Sequence, residues 1–189
     1  LAWIAFQRGV MWAEMADRPD LARPLYEEAV RRVPSYVVAN VHLAELEVIA
    51  GERDRAVARL YALLPDTTDP EPAGYLGELL AVTEADTART HVADARARYE
   101  VLLARHPEAF LDHGAEFFAG PGADPERALA LAATNLDNRR NARAWVVALE
   151  VAQLAESERL CTLRDEAAAN PAQSAVLRHL VDSLADACE

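Results

Sequence analysis

Two stretches of the chain repeat one pattern without a gap. Ala22, Tyr26, Ala29 and Pro34 stand at the same spacing as Ala95, Tyr99, Leu102 and Pro107. Steps of four and then three residues return to one face of an α-helix, so each stretch predicts a helix with these side chains in line. The proline five residues on lacks an N–H and biases its predecessor away from helical geometry, so it ends the helix. Pro24, Pro34, Pro65, Pro70, Pro72, Pro107, Pro121, Pro125 and Pro171 punctuate the chain in this way, and the apolar pattern between them is helical. The expected result is a succession of helical hairpins.

Composition supports helices and narrows the chemistry. Hydrophobic residues make up 52% of the 189, with only 7 glycines. Ala, Leu, Glu and Arg dominate, and these lose least on entering a helix. All 19 basic residues are arginine. Without lysine there is no Schiff base, no Ser-Lys pair and no phosphate-loop lysine. The net charge of −12 repels phosphate on average, and Arg31-Arg32 and Arg139-Arg140 are isolated basic pairs rather than a stripe. Nucleic acid is therefore not an expected partner. Membrane insertion is not expected either, since no charge-free stretch approaches the ~20 residues needed to span a bilayer.

The repeated segment resembles the second helix of a tetratricopeptide repeat (TPR). In that family a small residue lets two helices approach, an aromatic fills the gap beside them, and proline closes the unit. Phe6-Gln-Arg-Gly-Val-Met-Trp12 is similar to the first helix, with Gly9 at the close crossing and Trp12 as the bulky plug. Ala56, Leu60 and Leu63 repeat the second-helix spacing, as do Ala128 and Ala132. A weaker unit runs from Ala142 through Trp145 to Leu163. Trp3-Ile-Ala-Phe6, with the two Ala-Arg-x-x-Tyr-Glu segments, also looks like the half-a-TPR (HAT) variant.

The resemblance implies an all-α, right-handed solenoid forming one domain over 1–189. Its hairpins would be 1–34, 35–69, 70–107, 108–140 and 141–171. Extra residues Glu84 to Thr90 would separate the helices of the third, and a helix over 172–189 would cap the last. It further implies a protein-interaction module that holds a peptide or partner helix on the concave side, which first helices line. In that register the partner-facing residues are Trp3, Phe6, Tyr36, Asn40, Glu47, Tyr75, Glu78, Asp112, Glu116 and Trp145. Aromatics among carboxylates suit a partner with aliphatic and basic side chains.

Two other readings stay open. His106, Glu108, Asp112, His113 and Glu116 are spaced so that a helix could present imidazole and carboxylates to a divalent metal. A self-assembling structural subunit would use Trp145 and the last helix as its contact. No catalytic constellation and no cofactor motif is found: Gly120-Pro-Gly122 reads as a turn. Cys161 reads as an inert core thiol, and its distance from Cys188 gives no short pairing or metal-knuckle spacing, with a single bridge between the two as the minority alternative. A cytoplasmic location is favoured over a periplasmic one.

Overall fold

The computed structural model describes residues 1–188, and these hold eleven α-helices and no strand. The chain divides into two compact units. The first comprises Leu1–Ala13 and Asp17–Arg98, and the second Glu14–Ala16 and the chain from Tyr99 onward.

In the first unit α1 (Ala2–Val10) runs into a π-helical turn, Met11–Met15, and α2 is Pro19–Arg32. Pro19 starts α2, where a missing N–H costs nothing. Pro24, expected to punctuate, lies inside α2 instead. Next come α3 (Val37–Ile49), α4 (Arg53–Leu63) with a 3₁₀ turn at Leu64–Asp66, and α5 (Glu71–Leu80). Gly51, at φ +78°, makes the short turn from α3 to α4 that a Cβ would strain. Consecutive helices pack: α1 on α2, α2 on α3, α3 on α4, α4 on α5.

The first helix pair closes around the aligned positions. Ala22, Tyr26 and Ala29 are buried together with Ala5, Phe6, Ala39 and Leu43. Ala56 and Leu60 are buried with Val41, Ala44, Leu76 and Ala88. Gly9 sits against the Tyr26 ring, as the close crossing requires. Trp12 is not part of the core at this crossing; it lies in the π-helical turn and is 40% exposed.

The helix α6 (Ala85–Arg105) begins in the first unit and ends in the second. Residues 85–90, expected to separate two helices, form its opening turns. Ala88, Ala95, Tyr99 and Leu103 are its buried line.

The second unit continues with α7 (Pro107–Ala119), α8 (Pro125–Asn138), α9 (Ala142–Leu154), α10 (Leu160–Ala168) and α11 (Ala175–Ser183). Side-chain caps fix three starts. Asp124, Asn141 and Ser174 accept from the backbone N–H of Arg127, Ala144 and Leu177. The Tyr99 ring lies 4.8 Å from Phe117, which meets Phe118 edge-on. The last helix, α11, packs on α9 and α10 with Leu177 buried.

Cys161 is not an inert core thiol. It is half-buried at the start of α10 and bonded to Cys188, with the two Cα atoms 5.3 Å apart. No helix among the described residues is long and apolar enough to cross a membrane.

Candidate functional site

Four of the ten side chains expected to face a partner are held inside their own unit. Phe6 is core, its ring within 5.6 Å of Tyr26, Tyr36 and His42. Trp145 is 1% exposed in the first turn of α9, a helix in which eight other residues are also buried. It cannot anchor a partner or a second copy of the chain without opening the unit.

Asn40 and Glu47 belong to a buried polar network. The Asn40 amide donates to the carbonyl oxygens of Pro34 and Tyr36, both at 3.0 Å, and its Oδ1 accepts from Arg59 Nη1 at 2.9 Å. The Glu47 side chain is 0% exposed. It accepts from Arg59 Nε at 3.0 Å and Nη2 at 2.6 Å, and pairs with Arg55 Nε at 2.9 Å. The order continues outward, since Glu52 joins Arg55 to Arg23 of α2. An isolated carboxylate at the place of Glu47 would be prohibitively costly; two guanidinium groups make it tolerable. Asn40 and Glu47 thus tie α3 to α4 and are spent on that work. The legible signal was Arg55 and Arg59, one turn apart and facing back across the hairpin.

The other first-unit residues reach the surface. Trp3 is 63% exposed on α1. Tyr36 and Tyr75 are half-buried, and Glu78 is exposed. Burial pushes the Tyr36 phenol up. Tyr75 packs one face on the core between α3 and α5. Its phenol is pushed well up, first by burial and then by Glu45 and Glu78. Glu78 is raised by partial burial first and then by Glu45, with Arg53 opposing. His42 completes this edge: its ring stacks on Tyr26 at 5.2 Å and its Nδ1 lies 3.0 Å from Glu45. Glu45, Tyr75 and Glu78 therefore form a small face of concentrated negative charge around an aromatic ring. Glu45 was absent from the expected set because position alone does not tell which turn of α3 lies opposite α5.

In the second unit Asp112 and Glu116 stand half-exposed on α7. Arg143 of α9 donates to Glu116 at 2.6 Å. Burial opposes the Arg143 charge, but Glu116, then Glu14, Glu150 and Asp112 outweigh it and raise its pKa. His113 Nδ1 lies 3.8 Å from Glu116, and Asp112 accepts from the His113 backbone N–H. Among the described residues no group of three or more His, Cys, Asp or Glu is arranged to hold a metal ion. Helical spacing brings His113 to Glu116, but Glu116 is committed to the Arg143 guanidinium of α9.

No protein-family model matches the chain, and no curated protein matches it in sequence.

Proposed function

We propose that this chain is a TPR-like protein-interaction module, close to the TPR or HAT pattern. It binds a peptide or partner helix through the first helices of its first unit. Support for the pattern comes from the sequential helix pairs and from Gly9 against Tyr26. Gly77 repeats the device, since a Cβ there would stand 2.6 Å from Val92 of α6. The binding reading rests on one observation above the rest. Glu45 adds to the cost of a charge on Glu78 beside the half-buried ring of Tyr75. A cationic side chain of a partner relieves that repulsion while its aliphatic stem covers the ring. Trp3 and Tyr36 supply further aromatic contact area on the same class of helix. The partner is a protein with Arg or Lys beside aliphatic residues. The acidic chain does not serve nucleic acid or insert in membranes, and it acts by binding rather than catalysis.

Selection from a displayed random-peptide library tests this. Enriched peptides should carry Arg or Lys next to Leu, Ile or Val. Their binding should weaken with added salt and fall in Glu45→Gln and Glu78→Gln, while Glu126→Gln on α8 leaves it unchanged. Peptides without basic enrichment, or indifferent to both substitutions, would sink the reading.

A further inference from the structure

A cleft of about 290 Å³ opens at one end of the α3–α4 pair, and neither Tyr75 nor Glu78 lines it. Val37, Ala62 and Leu63 give it apolar walls, while Asn40 and Arg59 stand at its polar side and Asp66 at its rim. The Arg59 side chain is only 17% exposed. Of the five N–H donors of a guanidinium, three are engaged among the described residues, two by Glu47 and one by Asn40. Two remain. Glu47 also pairs with Arg55, so Arg59 does not have this carboxylate to itself. Asn40 fixes the guanidinium from a second direction, and Arg98 holds the far wall by donating to the Thr67 carbonyl at 3.1 Å. The donors are thus oriented before any ligand arrives, which lowers the entropy cost of binding.

Asp66 stands seven residues beyond Arg59, at the end of the 3₁₀ turn that continues α4. Two helical turns put the charges about 10 Å apart along the axis. Asp66 repels a dianion such as phosphate and attracts a cation. Between the two charges the walls are hydrocarbon. We infer that this cleft is a binding site for a small elongated zwitterion. Its carboxylate meets Arg59, an aliphatic stem lies along Val37, Ala62 and Leu63, and an ammonium or guanidinium meets Asp66. A free basic amino acid has this form. At about ten non-hydrogen atoms and modest efficiency per atom, the dissociation constant is on the order of 1 mM.

The test is a titration of the full chain followed by backbone amide NMR, with L-lysine, hexanoate and hexylamine as probes. L-lysine should shift the amides of Ser35, Val37 and Thr67 saturably, and at least about threefold more tightly than either single-charge probe. Asp66→Asn, at an exposed position outside the Glu47 network, should remove that advantage and leave hexanoate binding unchanged. Ala62→Phe should fill the cleft and abolish saturable shifts for all three probes while the remaining spectrum stays native. The inference is overturned if no saturable shift appears by about 20 mM lysine, well past that constant. It is equally overturned if hexanoate matches lysine, or if lysine still saturates in Ala62→Phe. None of these three failures bears on the peptide selection, which reports on Glu45 and Glu78.

Discussion

Gly9 lies flat against Tyr26: a Cβ on Gly9 would fall 2.6 Å from Tyr26 Cδ1. This contact sets how near α1 approaches α2. The ring is buried and boxed in by Phe6 and His42, so it has no room to yield. Helix propensity alone would make Gly9→Ala stabilising by up to about 1 kcal/mol. Overpacking wins, and the expected net effect is a loss of about 1–2 kcal/mol in urea unfolding. Tyr26→Ala should cost about 3–5 kcal/mol by itself. In that background Gly9→Ala should turn neutral or favourable, since the atoms it strikes are gone. An additive double mutant would mean the two residues do not touch in solution.

The Glu47 network makes a second, opposite kind of prediction. Removing the carboxylate with Glu47→Ala leaves Arg59 nearly buried and without its counter-charge. A loss of about 3–5 kcal/mol follows, as for other broken buried pairs. Arg59→Ala should cost a similar amount, because Glu47 then keeps only the exposed Arg55. Glu52→Ala, at the outer end of the same chain of charges, should be barely measurable. Chemical denaturation of the three variants checks the order, and comparable losses at Glu47 and Glu52 would contradict it.

These two cases mark what was legible in the sequence. Ala22 with Tyr26 and Ala95 with Tyr99 announce their helices because the information is local: spacing, size and a closing proline. The inner and outer sides of a first helix are not distinguished locally. Phe6 and Trp3 look equally suited to a partner, yet one is core and the other is exposed. Asn40 and Glu47 read as polar contact residues until Arg59, 12 residues beyond Glu47, is seen to consume them. Trp145 was misplaced for the same reason, since its burial depends on neighbours from other helices of its unit. The Cys161–Cys188 bridge joins residues 27 apart, a spacing with no local signature.

That bridge also has a measurable consequence. Closing a loop of 27 residues restricts the unfolded chain by about 3–4 kcal/mol in the chain-entropy account. Reduction, or Cys188→Ser, should lower the stability of the second unit by up to that amount, with α10 losing amide protection first. The first unit should keep its protection. Such bridges persist in oxidising surroundings, so a reducing cytosol would favour the weakened form. Hydrogen exchange before and after dithiothreitol reads both effects. Equal loss across Tyr26 and Leu177 would contradict the local assignment.

The last prediction concerns pH and the proposed binding face. Glu78 has its pKa raised in the folded chain, by partial burial and by Glu45. The folded state therefore holds this proton more tightly than the unfolded state does. Below the unfolded pKa both states are protonated and no penalty exists. As pH rises through the window up to the folded value, the penalty of the partly desolvated, repelled carboxylate appears, and stability is lost in that direction. Glu78→Gln removes the charge without changing the shape. The variant should match the parent near pH 4 and be the more stable of the two at pH 7. Paired urea unfolding curves at the two pH values give the comparison. A gap of the same size at both would place the effect in packing rather than charge. The same substitution removes one of the two carboxylates offered to a basic partner. A more stable variant that binds selected peptides less well would therefore show that this face trades stability for binding, as functional sites commonly do. A variant that gains stability and keeps its affinity would leave Glu45 as the contact and exclude Glu78.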